Sequence, residues 1–307
     1  HEQLAHVIAA QPTRVPTRER PEPDRIGATS FALRSAELDD DRAKTAVVAP
    51  MNRQHRAGRQ RREPHTWALF VLEQELAAAD VVADGIQWLQ VKVPGEPDVD
   101  LAIIKAIRKE VGDDINIFPD INRGYRNIKP AINVINAMYG EANICAVEQP
   151  TEGSDAMAAI TRAVDVPVIV DEGCWSPQDA SEVVRRNSAD VISIYFTKAG
   201  GLYRSMEIGA IAHGAGLPVN VNGSLEGGVG NAANLHLSAA LDGVVLPGVI
   251  TINTLEGREQ TKVGGVFYKD DVITEPFEYA DGALKIPTGP GLGVELDPDK
   301  IERYRER

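Results

Sequence analysis

Five charged residues, Lys92, Asp120, Glu148, Asp171 and Lys198, recur along the chain at intervals of 28, 28, 23 and 27 residues. Each follows a short apolar run rich in β-branched residues, and their order is cation, anion, anion, anion, cation. Three carboxylates gathered at one cavity repel one another unless a cation neutralises them. Donors that are all oxygen select a hard divalent ion such as Mg2+, whereas zinc favours His or Cys. An amine close to a metal and to a second cation has its pKa lowered toward neutrality, where it can act as a base. Metal-assisted proton transfer is therefore the chemistry these types and spacings point to. One such carboxylate alone serves equally well as a helix cap or an ion-pair partner, so the recurrence carries the reading.

The intervals match one strand-helix unit each, which sets what must position the five residues. Candidate strands run over Thr66 to Val71, Ile86 to Val93, Ile115 to Asp120, Ile144 to Glu148, Pro167 to Asp171, Val191 to Phe196, Pro218 to Val221 and Gly243 to Leu246. Segments with helical spacing lie between most of them: Asp98 to Val111, Ser176 to Asn187, Leu202 to Ala215 and Gly228 to Ala240. Ser154 and Ser176 stand at two helix starts, the second followed by Pro177 at the first helical position. Eight strand-helix repeats predict an α/β fold of the parallel barrel type, in which all C-terminal strand ends open at one mouth. An open doubly wound sheet fits less well, because no GxGxxG follows the first strand. On a ring of eight, the second and sixth strands are diametrically opposite, which places Lys92 and Lys198 on the two sides of the mouth. Period-2 alternation puts Gln90 on the face of Lys92, and Asn122 on that of Asp120 if the strand continues so far. Asp171 and Glu172 are adjacent, so Asp171 is assigned to the metal and Glu172 behind it, or against a lysine.

Composition narrows the partners. The chain has 307 residues and a formal charge of −13, which disfavours nucleic acid and anionic membranes. The charge is unevenly placed: residues 1–64 carry +3 and the remainder −16. The N-terminal part also holds six prolines and a run from Asn52 to Arg62 with five arginines in eleven residues. That run reads as an anion-contacting arm or as a solvated loop, and the absence of interleaved aromatic residues favours the loop. Two cysteines, Cys145 and Cys174, build no disulfide framework, and with no signal-like or spanning segment they point to the cytoplasm. Both read as small apolar fillers. The glycines from Gly227 to Gly230 read either as an anion nest or as the turn into a helix.

At the residues just described, the sequence resembles the enolase superfamily, in particular its mandelate racemase and muconate lactonizing branch. The matching stretches are Gln90-Val91-Lys92, Asp120-Ile121-Asn122, Val147-Glu148-Gln149-Pro150, Val170-Asp171-Glu172, Lys198-Ala199-Gly200-Gly201, Gly223-Ser224-Leu225-Glu226-Gly227 and Pro287-Thr288-Gly289-Pro290-Gly291-Leu292-Gly293. The resemblance implies a TIM-type (β/α)7β barrel with a reduced or incomplete N-terminal α+β capping region. It divides the chain into a capping region at 1–64, a catalytic barrel at 65–285, and a segment at 286–307 that packs back on the cap. It also implies Asp120, Glu148 and Asp171 as Mg2+ ligands, Lys92 and Lys198 as acid/base lysines, and Gln90, Asn122, Asn222 and Glu226 as lining of the substrate site.

The activity implied is removal of the α-proton of a small carboxylate substrate to give a metal-stabilised enediolate, leading to cycloisomerisation or to racemisation and epimerisation. A dehydratase working by β-elimination, and a catalytically silent barrel that binds ligands, are the alternatives. A dehydratase of this branch usually carries a His base after the seventh strand, where this chain has Asn220, Asn222 and Ser224, and His213 and His236 fall on predicted helices. Two departures stand out. Gln90 replaces the first lysine of the Lys-x-Lys usual in muconate lactonizing relatives, and the 64 residues before the barrel are fewer than the family's cap. Further copies of the same chain are expected as partners.

Overall fold

The computed structural model describes residues 42–48, 78–79, 82–83, 85–223, 226–250, 270–280 and 283–305, with backbone alone for 42–48 and 279–280. Among the described residues eight strands pair in parallel: β1 (Arg42–Val48), β2 (Trp88–Lys92), β3 (Asn116–Asp120), β4 (Val147–Glu148), β5 (Val168–Val170), β6 (Val191–Ile194), β7 (Val219–Val221) and β8 (Gly248–Val249). Neighbours in sequence are neighbours in the sheet from β1 to β7, and β8 pairs with the other edge of β1. Single parallel bridges, Val219 with Val244 and Asn222 with Val249, bring the β7 edge to β8. A short antiparallel pair, β9 (Tyr279–Ala280) and β10 (Ala283–Lys285), adds to the start of β1.

The helices are α1 (Pro97–Val111), α2 (Ile128–Ala142), α3 (Ser154–Ala163), α4 (Pro177–Arg186), the single turn α5 (Phe196–Ala199), α6 (Leu202–Gly214), α7 (Gly228–Ala240) and α8 (Pro298–Tyr304). No helix among the described residues is long and apolar enough to cross a membrane.

Alternation along the strands sorts their side chains into two layers. Leu89, Val91, Ile117, Val147, Val168, Val170, Ile192 and Ile194 join one apolar cluster with helix residues such as Ile103, Ile107, Ile135, Met138, Ile160 and Val183. Trp88, Phe118, Ala146, Ile169, Val191 and Val249 form a second cluster that contains no helix residue, so it fills the inner side of the sheet. The strands are buried on both faces, as parallel strands under helices must be. Inward positions then continue toward the C-terminal strand ends as Gln90 and Lys92, Asp120, Glu148, Asp171, Ser193, and Asn220 with Asn222. Apolar packing thus gives way to polar groups at one end of the sheet.

Local chemistry explains where elements begin. Ser176 caps α4 as expected, its side chain accepting from the Asp179 amide with Pro177 at the first helical position. Ser154, by contrast, is the first residue of α3, and the cap position belongs to Gly153 at φ 88°. The first strand lies at Arg42–Val48, inside the stretch read as a capping region, while Thr66 to Val71 falls outside the described residues. The last parallel strand is Gly248–Val249 and not Gly243 to Leu246. Pro247 has no N–H to give to a ladder, so regular pairing with β1 starts after it. The C-terminal segment, expected against the cap, has described contacts with residues 270–274 and α7: Lys300 pairs with Asp270 at 2.8 Å, and His236 meets the Leu292 carbonyl at 3.2 Å.

The loops at the mouth are fixed to one another. Gly95, after β2, stands so close to Gly124, after β3, that a Cβ on either would fall 2.7 Å from the other's Cα. Beneath them the Tyr125 hydroxyl donates to Asp100 of α1 at 2.8 Å, and the Thr151 hydroxyl donates to the Tyr125 carbonyl at 2.7 Å. Asp100 is fully buried, and its second oxygen has no partner among the described residues. Burial pushes its carboxyl up from 3.8 to about 7 against the hydrogen bond from Tyr125. An unfolded chain releases this proton near pH 4 and the folded one only near pH 7, so stability falls as pH rises between those values. The loss is on the order of 4 kcal/mol. Asp100→Asn keeps an acceptor for Tyr125 without the charge. In urea denaturation, the variant's stability relative to the parent should rise from pH 4 to pH 7 and then level off; a flat difference would contradict the burial of an ionisable Asp100.

Candidate functional site

Three carboxylates end three consecutive strands. Asp120 and Glu148 are register partners between β3 and β4, and Asp171 follows β5 directly. All three are buried, and each is held by a different partner. Lys92, at the end of β2 and in register with Asp120, makes an ion pair with it. The Gln90 amide donates to Glu148 Oε2. Lys198 Nζ donates to Asp171 Oδ1 at 2.6 Å.

The electrostatics follow from this crowding. Burial first, and then the charges of Asp120 and Asp171, hold the Glu148 carboxyl well above the usual carboxylate range. Asp120 is also raised by burial, which outweighs the charge of Lys92 beside it. Burial works to lower the pKa of Lys92, but the charges of Asp120, Glu148 and Asp171 and the hydrogen bond to Asp120 overcome it, so the ammonium is held above its ordinary value. The row of carboxylates therefore calls for positive charge, and the protein's own ammonium groups answer it on both sides.

Other predicted residues fall around this row. Asn222 donates to Ser193 Oγ at 2.8 Å and reaches Glu148 Oε1 at 3.4 Å, while its own carbonyl receives Asn220 Nδ2 and the Val249 amide. Asn122 does not extend the strand: β3 stops at Asp120, and Asn122 turns into the left-handed region at φ 45°. Its amide and side chain both fold back on Asp120, at 2.9 and 3.2 Å. Glu172 meets Arg123 at 3.2 Å and Asn122 at 3.4 Å, so its partner is an arginine and no lysine. Glu226 accepts from Thr197 Oγ1 at 3.0 Å.

Lys198 departs from expectation in its element. β6 ends at Ile194, and Lys198 rides on the one-turn α5 that follows. The inward alternation of Val191 and Ser193 instead reaches Tyr195, a buried tyrosine that sequence reading passed over. Counting the same period of two along β6 was the signal available for it. Sequence reading also passed over Gln149 as a supporting residue, because nothing in its spacing marks it. The start of α7 is no open anion nest, since the Asp271 carboxylate already accepts the Gly228 amide at 2.8 Å. Cys145 and Cys174 are buried, and desolvation pushes both thiols up to about 12, in keeping with their reading as fillers.

Among the described residues, no three His, Cys, Asp or Glu side chains form a ready-made cage for a metal ion. Asp120 and Asp171 each give an oxygen to a lysine instead. The donor set nevertheless fits a hard divalent cation: three buried carboxylates on adjacent strand ends, within range to raise one another's proton affinity, and no soft ligand among them.

A family model described as enolase C-terminal domain-like matches residues 73–300. Muconate cycloisomerase 1 of Rhodococcus opacus is 35% identical over 211 residues, covering 68% of this chain and 53% of that protein. N-succinylamino acid racemase of an Amycolatopsis species is 30% identical over 217 residues, covering 70% and 55%. The chain spans about half the length of these curated relatives. Among solved structures, a substrate-liganded complex of the L-Ala-D/L-Glu epimerase from Bacillus subtilis superposes with a TM-score of 0.69 at 27% identity, covering 83% of this chain and 63% of that one.

The end of β5 depends on one neutral side chain. Gln149 is buried with φ 37°, and its Oε1 accepts the amides of Asp171 at 2.8 Å and Gly173 at 3.1 Å. Its Nε2 donates to the Thr151 carbonyl at 2.8 Å. Gln149→Leu would leave two amides and a carbonyl buried without partners, at a cost of about 3 kcal/mol. Denaturant unfolding should show that loss, and hydrogen exchange should quicken at Asp171 and Gly173 ahead of the rest of β5; unchanged protection there would refute this role.

Proposed function

Because the chain belongs to the mandelate racemase and muconate lactonizing family of the enolase superfamily, we propose that it is an isomerase that removes the α-proton of a small carboxylate substrate. In this reading the parallel ring is a (β/α)7β barrel and the substrate lies over the inward row at its mouth. The observation that carries the proposal is the set of three buried carboxylates on β3, β4 and β5 with an ammonium group at either side. Asp120, Glu148 and Asp171 would hold Mg2+. Bound there, it supplies positive charge for the substrate oxygen on which negative charge develops as the proton leaves.

The chain's own residues do the rest. Lys92 is the amine whose strand position faces the substrate; a divalent cation on the carboxylates that now hold its proton would offset their charge, and its free base then takes the proton from the α-carbon. Lys198 is the second amine of the site, held on Asp171. Gln90 and Asn222 each donate to Glu148, and Asn222 also donates to Ser193 Oγ, so neutral groups keep that carboxylate oriented without adding charge. The relatives' names, muconate cycloisomerase, N-succinylamino acid racemase and L-Ala-D/L-Glu epimerase, set the substrate panel: muconates, N-succinylamino acids and dipeptides.

With Mg2+ in D2O, proton NMR of that panel should show deuterium entering the α-position of at least one acid, or lactone forming from muconate. Neither outcome from any acid, with Mg2+ shown to bind by calorimetry, would overturn the proposal. Lys92→Ala should lower the exchange rate about a thousandfold while Mg2+ still binds. Glu148→Gln should weaken Mg2+ binding itself, about a hundredfold.

A further inference from the structure

The first turn of α7 takes its cap from a distant part of the chain. Gly227, at the cap position, has no side chain to accept the free amides there, and a carboxylate 43 residues beyond Gly228 does so instead. Asp271 accepts the Gly228 amide through both oxygens, at 2.8 and 3.0 Å, and the Val272 amide through Oδ1 at 2.7 Å. It is buried, and its charge matches the positive end of the helix. The fit is close. A Cβ on Gly227 would lie 3.4 Å from Asp271 Oδ1, and one on Gly228 would fall 2.5 Å from Ile273 Cδ1.

The strap that carries Asp271, residues 270–274, is held in turn by the segment around α8. The Asp297 amide donates to the Val272 carbonyl at 2.8 Å, the Thr274 amide donates to the Glu295 carbonyl at 3.0 Å, and Ile273 bridges to Leu296. Lys300 Nζ pairs with Asp270 at 2.8 Å and donates to the Asp271 carbonyl at 3.1 Å, while the Tyr304 hydroxyl donates to Asp270 Oδ2 at 2.9 Å. The Asp270 side chain is 4% exposed, and a pair this buried is costly to break. On the other side of Gly227 stands Glu226. Its stem lies across the first turn of α7, where a Cβ on Gly230 would fall 2.7 Å from Glu226 Cβ. Its carboxylate accepts from Thr197 of α5 at 3.0 Å and is within electrostatic range of Tyr195, which β6 sends inward. Glu226 therefore belongs to the mouth, and its direction is set by the turn that Asp271 caps.

We infer that Asp271 is a positioning residue for Glu226: it fixes the turn after β7 through the Gly228 amide, and α8 clasps it there through Asp270. A helix outside the parallel ring thereby takes part in shaping the substrate site. The inference rests on the α-proton removal proposed above, with Glu226 in the lining of that site. None of the contacts just named involves Asp120, Glu148 or Asp171, so cutting this chain of contacts separates substrate handling from metal affinity. Asparagine at position 271 still offers an acceptor at the cap, whereas alanine offers none.

The test uses the full chain with Mg2+ and whichever acid of the panel above exchanges its α-proton or forms lactone. Asp271→Ala should lower kcat/KM about 10- to 100-fold, dividing the loss between kcat and KM as Glu226→Gln does, with the Mg2+ dissociation constant unchanged. The double variant should be no worse than Glu226→Gln alone, and Asp271→Asn should recover most of the loss. Additive losses in the double variant, or a loss that Asp271→Asn does not recover, overturn the inference and leave α-proton removal standing. Lys300→Ala carries the same comparisons should Asp271→Ala fail to fold. Hydrogen exchange is a readout independent of turnover: the Gly228 amide should exchange about tenfold faster in Asp271→Ala, less so in Lys300→Ala, and at the parent's rate in Asp271→Asn. Unchanged protection of Gly228 in Asp271→Ala overturns the capping role, and unchanged protection in Lys300→Ala overturns the clasp. A parent that binds Mg2+ but acts on no acid overturns α-proton removal; exchange at Gly228 then decides by itself whether Asp271 holds the turn.

Discussion

Mutual repulsion among Asp120, Glu148 and Asp171 governs the rest of the site. Parallel pairing puts the first two side by side with no freedom to move apart, because their backbones are locked in register and their side chains are buried. A sheet buried on both faces tolerates charge only where it is compensated. Every polar group around the mouth can be understood from this: an ammonium on each flank, neutral amides from Gln90 and Asn222 on the middle carboxylate, and the Gln149 carbonyl oxygen pinning the amides that lead out of β5. The apolar inner cluster ends where this row begins, so the boundary between packing and chemistry is one residue step along each strand.

Much of this was legible in the sequence because it depends on short-range periodicity. Strand-helix intervals near 27 residues announced the repeating unit, and alternation by two placed Gln90 with Lys92. The carboxylates sit at or immediately after strand ends as the spacing implied. What escaped was set by tertiary context. Lys198 was read as a strand-end residue because the apolar run continues to Phe196, yet pairing with β7 stops at Ile194 and the chain coils into α5. Once the strand ends there, its inward residue is Tyr195. Asn122 shares the face of Asp120 only if β3 continues so far, and it does not: the demand of Asp120 for hydrogen-bond donors bends the chain back in a left-handed turn. At the other seam, β1 is supplied from residues 42–48, a short run inside an N-terminal stretch whose arginines and prolines obscure any strand pattern, and β8 is displaced past Pro247.

Family membership and geometry contribute different things. The match over residues 73–300 assigns the family. It does not say how the side chains of the site hold one another; the geometry does, with Lys198 Nζ donating to the Asp171 carbonyl, to Asp171 Oδ1 and to the Ser193 carbonyl. The replacement of a cationic neighbour of Lys92 by Gln90 belongs to the same contrast, since a neutral amide bonded to Glu148 alters orientation without altering charge.

The contact between Gly95 and Gly124 has a consequence for how such a pocket can diversify. Two main chains that touch with no side chain between them cannot be lengthened or re-aimed independently. The turns after β2 and β3 therefore act as a rigid sill, and a lineage that changes its substrate while keeping this contact must do so from elsewhere on the rim, such as the segments after β5 and β6, which take no part in it. Diversity among descendants of this scaffold should accordingly be lopsided, concentrated on one half of the mouth and nearly absent from the other.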